Sequence, residues 1–175
     1  MIEKTEKEKV MVDSCVFLRI LLDEAGTDKC QEELERIKEE NKQMCVTLGI
    51  IYEIIKGLEE DIEKEVNTLN PIINQKREKI RRERLFDHLG TLRKLTQEGS
   101  ILFLEDGKNP KETWEKCMTH LRIGGKNRGG WDRLHLAIAI SNSCSEFITV
   151  DGSIKNEERN ISSLSNNLLK VILIK

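Results

Sequence analysis

The chain has 175 residues, of which 34% are charged, and its length is enough to bury one substantial core, so we expect a single domain. The formal net charge of −2 argues neither for nor against nucleic-acid binding, because local patches matter more than the total. No apolar run is long enough to span a bilayer and the first nine residues are mostly charged, which predicts a cytoplasmic protein without a signal peptide.

Short apolar segments alternate with amphipathic ones along the chain. The apolar segments predict five strands, at Val10–Val12, Met44–Thr47, Ile101–Leu104, Phe147–Val150 and Lys170–Ile174. Between them, apolar residues at three- and four-residue steps predict helices that begin near Ser14, Thr27, Leu48, Pro71, Pro110 and Asp132. Strands that alternate with helices in this way predict an α/β fold, with a parallel sheet covered by helices on both faces.

The middle of this single domain, 1–175, carries a helical elaboration at about 59–98. Asn70 and Pro71 predict a new helix start, because Asn is a favoured cap and Pro fits the first helical position. We expect a break near Gly90 and an end at Gly99. The apolar residues of this tract exceed what a surface helix requires. We therefore expect one part to cover the sheet and another to face a second copy of the chain or a partner helix.

Two of the predicted strands run into an aspartate, Asp13 after the first and Asp151 after the fourth. The carboxyl ends of parallel strands share one edge of a sheet, and the crevice at that edge is the usual site in open α/β folds. Glu53 lies among apolar helical residues, and Asp132 opens a helix. Each could be an ordinary cap or helix-end charge. Four carboxylates in this order favour a site for Mg²⁺ or Mn²⁺, which prefer hard oxygen ligands.

The order and context of these residues resemble the PIN-domain ribonucleases. The matching segments are Val12-Asp13-Ser14, Thr47 with Glu53 six positions on, Gly125-Lys126 before the helix Asp132–Ala139, and Thr149-Val150-Asp151. The resemblance covers about residues 9 to 151 and implies a three-layer α/β/α fold around a central parallel sheet of about five strands. It also implies a metal-dependent endoribonuclease whose catalytic residues and ligands for one or two Mg²⁺ or Mn²⁺ ions are Asp13, Glu53, Asp132 and Asp151.

The resemblance also implies partners. Small PIN proteins are often VapC-type toxins that form homodimers and are neutralised by an antitoxin. This chain is longer than is typical of them, which leaves an RNA-processing nuclease as the other role. Cys15 and Ser153 stand where the family usually has Asn and a further acidic residue, and these departures motivate a non-catalytic module that binds RNA or protein as the alternative. A haloacid-dehalogenase-like phosphatase ranks low, because it needs an aspartate at position 15.

Basic residues close to Asp132 in sequence predict the contact with RNA. They are interleaved with glycines, and flexible backbone N–H groups beside cations suit phosphate binding; the four are Arg122, Lys126, Arg128 and Arg133. A second basic stretch, from Lys76 to Arg84, is equally well explained as a solvated helix face. We interpret His135 as a packed or rim histidine rather than a proton donor. Trp131 is the aromatic residue best placed to stack on a base, with a core position as the alternative.

Overall fold

A five-stranded, all-parallel sheet forms the centre of the computed structural model, which describes residues 6–68, 74–98, 101–105, 110–123 and 129–175. The strands are β1 (Lys9–Val12), β2 (Gln43–Val46), β3 (Leu102–Phe103), β4 (Glu146–Thr149) and β5 (Lys170–Leu173). Their order across the sheet is β3-β2-β1-β4-β5, so β1 is central. Each strand lies within one residue of its predicted bounds, and the predicted parallel sheet is confirmed.

The described helices are α1 (Ser14–Leu21), α2 (Thr27–Glu39), α3 (Leu48–Thr68), α4 (Asn74–Glu98), α5 (Pro110–His120), α6 (Gly130–Ser141), α7 (Gly152–Asn156) and α8 (Glu158–Leu164). Right-handed crossovers place α1–α4 over one face of the sheet and α5–α8 over the other. The contacts agree, because α1 packs on α2 and α3 while α5 packs on α6 and α8. The predicted three-layer arrangement is confirmed, although α7 and α8 were not predicted, since such short helices show little periodicity.

The core lies on both sides of the sheet. Val10–Val12 on β1 are fully buried, which a strand covered on both faces requires. On α3, apolar residues at four-residue steps form the stripe that faces inward, namely Ile50, Ile54, Leu58, Ile62 and Val66. None of the helices in the described ranges is long and apolar enough to cross a membrane.

In the helical elaboration α4 runs without interruption through Gly90, so the predicted break near Gly90 is wrong. A Cβ at Gly90 would meet open space, and one glycine inside a helix costs only about 0.5–1 kcal/mol. That cost does not end a helix which packs on α3 and α1. The predicted start at Asn70-Pro71 and the predicted end at Gly99 lie outside the described residues.

Part of the second basic stretch is engaged within the fold. Arg81 and Arg84 on α4 pair with Glu63 and Glu65 on α3, so these cations join two helices. Phe86 on α4 is 79% exposed, so at least one apolar side chain of the tract faces away from the sheet. Self-association through this tract stays a prediction.

Candidate active site

The topology brings the ends of three strands together at one edge of the sheet. Asp13 follows β1 directly, Thr47 follows β2, and Asp151 lies two residues after β4. From β1 the chain adds β2 and β3 toward one side of the sheet and then returns to add β4 and β5 on the other side of β1. The strand order therefore reverses between β1 and β4. A crevice forms at such a switch point, because the connections leave the two strand ends on opposite sides.

Asp13 is 3% exposed, and hydrogen bonds reach both of its carboxylate oxygens. Its Oδ1 accepts from the backbone N–H of Ser14 at 2.8 Å, so Asp13 caps α1, which begins at Ser14 as predicted. Its Oδ2 accepts from the Thr149 hydroxyl at 2.7 Å and from the Cys15 thiol at 2.9 Å. Burial raises the pKa of Asp13 in spite of these hydrogen bonds.

The two positions that depart from the family pattern both contact the candidate carboxylates. Burial and the charge of Asp13 raise the pKa of the Cys15 thiol, so Cys15 is a protonated donor and not a nucleophile. The backbone N–H of Ser153 donates to Oδ1 of Asp151 at 2.7 Å and caps α7. Among the described residues, the buried Ser153 hydroxyl has no hydrogen-bond partner.

Glu53 is held by a hydrogen-bonded chain that begins at the end of β2. Thr47 caps α3, because its Oγ1 accepts from the backbone N–H of Ile50 at 3.1 Å. The same oxygen lies 3.1 Å from Nδ1 of the fully buried His135, and Nε2 of that ring lies 3.1 Å from Oε2 of Glu53. A carboxylate only accepts, so Nε2 carries a hydrogen and donates to Glu53, while Nδ1 shares the second hydrogen bond with the Thr47 hydroxyl.

Ser14 completes the link between the two carboxylates. Its hydroxyl donates to Oε2 of Glu53 at 2.9 Å, while its backbone N–H donates to Asp13. Burial by itself would raise the pKa of Glu53, but the hydrogen bonds from His135 and Ser14, with the charge of His135, outweigh burial and lower that pKa. Glu53 is therefore an ionised, firmly oriented carboxylate, and the prediction that His135 is a packed residue is confirmed.

Asp132 lies in the first turn of α6, whose start depends on a glycine. Gly129 precedes the helix with φ of +91°, and a Cβ there would lie 2.4 Å from the carbonyl oxygen of Ile123. Burial raises the pKa of Asp132 to about 6, and the charges of Asp13, Glu53 and Asp151 also raise it. All four predicted carboxylates therefore interact electrostatically within one region.

The predicted RNA-contacting residues fall into three groups. Arg133 on α6 donates from Nε to the carbonyl of Leu121 at 2.9 Å and from Nη2 to the carbonyl of Ile123 at 3.1 Å. It therefore anchors residues 121–123, which follow α5, to α6. Arg122, between those two carbonyls, is exposed. Lys126 and Arg128 lie outside the described residues, and the contact with RNA stays a prediction.

The donor set fits a hard cation, although the ligands are not preassembled. Within the described part of the chain, no group of three or more His, Cys, Asp or Glu side chains lies close enough to hold a metal ion. The region nevertheless gathers four carboxylates whose mutual repulsion a divalent cation would relieve. Mg²⁺ commonly binds through one or two carboxylates and completes its shell with water and substrate phosphate. A loose set of oxygen donors suits this mode of binding.

The residues that orient the carboxylates were not assigned by sequence reasoning. They are Ser14, Cys15, Thr47, His135 and Thr149. Ser14, Thr47 and Thr149 stand in the segments that match the family pattern, and Cys15 and His135 stand within three residues of a candidate carboxylate, but neither signal identifies their hydrogen-bond partners. The partners that give them a role lie up to 136 positions away, as for Thr149 and Asp13.

The chain resembles a solved structure in fold. It aligns at a TM-score of 0.57 with the crystal structure of VapBC2 from Rickettsia felis bound to a DNA fragment from the VapBC2 promoter. The two are 15% identical over 94% of this chain and 98% of that chain. No protein-family model and no curated protein matches the chain. At this identity the likeness concerns the fold alone, and it confirms the predicted three-layer, PIN-like architecture.

Proposed function

We propose that this chain is an endoribonuclease that depends on Mg²⁺ or Mn²⁺. The observation that carries the proposal is the gathering of Asp13, Glu53, Asp132 and Asp151 at the switch point of a PIN-like sheet, where the charges of the other three carboxylates raise the pKa of Asp132. These four carboxylates would hold the ion. When bound, such an ion supplies Lewis-acid activation of water and of a phosphodiester.

Neighbouring side chains orient two of these four carboxylates. The Ser14 hydroxyl and His135 hold Glu53, while Thr149 and Cys15 hold Asp13, so both side chains are fixed before a substrate arrives. Although the four carboxylates are not preassembled around an ion, the fixed orientation of Asp13 and Glu53 would help to position it. Hydrolysis in line with the leaving oxygen would produce a 5′-phosphate and a 3′-hydroxyl, as the resemblance to PIN ribonucleases implies.

The biological role within this class is also part of the proposal. The similar structure is that of VapBC2, and the resemblance to VapC-type toxins implies a toxin that is controlled by an antitoxin protein and that pairs with a second copy of itself. An RNA-processing nuclease is the other role for a chain of 175 residues.

One observation favours a second candidate function. The described residues contain no preassembled group of three metal-binding side chains, which would also be expected of a non-catalytic module that binds RNA or a protein. Cleavage of RNA, and its dependence on Asp13, separates the two candidates.

The decisive comparison is Asp13→Asn against Asp23→Asn, tested on single-stranded RNA with Mg²⁺ or Mn²⁺. We expect Asp13→Asn to reduce cleavage by at least about 100-fold, because an amide is a poorer ligand for a hard cation. Its fold should be kept, because the amide oxygen of Asn can still cap α1. Asp23 is exposed at φ +51°, where Asn is equally tolerated, so Asp23→Asn should cleave normally. Full activity of Asp13→Asn would reject the metal-site hypothesis.

A further inference from the structure

Two exposed aromatic side chains stand beside the candidate carboxylates. Tyr52 precedes Glu53 on α3, and Trp131 precedes Asp132 on α6. Their ring centroids are 6.3 Å apart and the rings are tilted by 34°. Tyr52 is 58% exposed and Trp131 is 49% exposed, so the alternative of a core position for Trp131 is wrong. The aromatic pair and the carboxylate pair thus lie side by side where the same two helices meet.

The inner side of Trp131 is held firmly by the fold. Its ring stacks on His135 with centroids 6.1 Å apart and an interplanar angle of 29°. A Cβ at Gly49 would lie 3.0 Å from Cζ3 of Trp131 and 2.8 Å from Cε1 of His135, so the missing side chain lets both rings lie against α3. A continuous series of contacts therefore joins Glu53, His135, Trp131 and Tyr52.

The surface beyond Trp131 is an open, mostly apolar cleft. It has a volume of about 540 Å³ and runs from the end of β2 to β3 and α6. Leu48 and Phe103 line it and are themselves largely exposed. Exposed aromatic and aliphatic side chains of the described residues therefore cluster around this cleft.

We propose that Tyr52 and Trp131 form a stacking platform for unpaired bases of single-stranded RNA. The inference rests on the proposed function for the position of the scissile phosphodiester. His135 contacts both Glu53 and the ring of Trp131, so a nucleotide whose phosphate lies at Glu53 would have its base beside the aromatic pair. Stacking on aromatic faces binds any base, because every base has a π face.

The platform selects single strands for a geometric reason. In an A-form duplex the bases are stacked inside the helix, so their faces cannot reach an aromatic side chain, whereas bases of a single strand can splay out. A nucleobase is favoured over a protein partner because the exposed pair adjoins the carboxylates directly. An apolar protein segment would gain nothing from that charged neighbour.

The test measures binding of a labelled single-stranded oligoribonucleotide by the full chain in an Asp13→Asn background that all variants share. Tyr52→Leu and Trp131→Leu should each weaken binding by roughly 5- to 150-fold, which corresponds to about 1–3 kcal/mol per stacked base. Tyr52→Phe keeps the ring, and Trp114→Leu removes an exposed tryptophan elsewhere, on α5; both should change affinity less than about twofold. Thermal unfolding verifies that each variant is folded.

Two further measurements isolate stacking. The Asp13→Asn parent should bind an oligonucleotide with abasic residues about as weakly as Trp131→Leu binds the intact oligonucleotide. On the abasic oligonucleotide, Trp131→Leu should cause no additional loss of affinity. The chain contains two tryptophans, so in a Trp114→Phe background Trp131 is the one reporter, and stacking should quench its fluorescence when RNA binds.

The outcomes separate the platform from the nuclease activity. If the chain of native sequence cleaves RNA but both leucine variants bind RNA like their parent, the platform is rejected and the nuclease stands. If RNA is bound with the expected aromatic dependence but is never cleaved, the platform stands and the nuclease is rejected. Failure to bind or cleave RNA rejects both. If Trp131→Leu instead dissociates a dimer in sedimentation without affecting RNA binding, this surface is a protein interface and the platform is wrong.

Discussion

Replacing Thr47 by valine should test the hydrogen-bonded chain that orients Glu53. The two side chains have almost the same shape, so the change removes a hydroxyl and little else. Thr47 is buried, accepts from the N–H of Ile50 and contacts Nδ1 of His135. Ile50 and His135 are fully buried, so neither can form a hydrogen bond with water in place of the lost one. The mutation therefore leaves two buried polar groups without their partner.

The expected cost follows from these two losses. Removing a helix cap costs about 1 kcal/mol, and leaving a buried ring nitrogen unsatisfied costs about 1–3 kcal/mol. Thr47→Val should therefore lower the free energy of unfolding by about 2–4 kcal/mol, which in a chain of this size lowers Tm by roughly 5–15 °C. Thr47→Ser keeps the hydroxyl and loses one methyl group, so it should cost only about 1 kcal/mol.

Denaturant unfolding of the two variants measures this difference, and equal m values would show that both unfold from the same kind of native state. If the proposed function is right, Thr47→Val should also cleave RNA about 10- to 100-fold more slowly, because His135 no longer holds Glu53 in one orientation. If Thr47→Val and Thr47→Ser unfold within about 0.5 kcal/mol of each other, the hydroxyl does not organise this region and our reasoning about Glu53 is wrong.

Three more predictions concern stability and RNA binding. Burial raises the pKa of Glu146, but hydrogen bonds from Arg36 and Lys42 outweigh it and leave the pKa below its ordinary value of 4.5. The stability that Glu146 contributes is therefore present above about pH 4.5 and lost as the pH falls through the lowered pKa, so the advantage over Glu146→Gln in denaturant unfolding should shrink in acid. Gly129→Ala should lower stability by more than about 2 kcal/mol, through its left-handed backbone and a clash with a carbonyl, whereas Gly130→Ala, which meets open space, should not; similar stabilities would contradict the packing at the start of α6. Replacing Arg122, Lys126 and Arg128 together by alanine should reduce the slope of log affinity for RNA against log salt concentration by roughly two. An unchanged slope would place this basic segment away from RNA.

The positions of the four carboxylates along the fold could be predicted from the sequence, whereas their surroundings could not. Because the alternation of strands and helices predicts parallel strands, aspartates that follow two of them were assigned to one carboxyl edge, namely Asp13 and Asp151. Cys15 was considered only as a departure from the family pattern, and His135 only as a packed or rim residue. Their hydrogen bonds reach Thr149, Thr47 and Glu53, which are distant in sequence and have no regular spacing.

The sequence by itself determined the elements and their layers. Buried strands and amphipathic helices each have a characteristic hydrophobic periodicity that can be read from consecutive residues. Strands that alternate with helices allow few arrangements other than a parallel sheet covered by helices. Only the tertiary structure decided that α4 runs on through Gly90, that Thr47, His135 and Glu53 form one chain, and that Tyr52 and Trp131 meet beside the carboxylates. Periodicity records which face of an element is buried, but the distance between two side chains on different elements depends on how closely their backbones approach. At α3 and α6 that approach is set by the missing side chain of Gly49, a feature that no local pattern reveals.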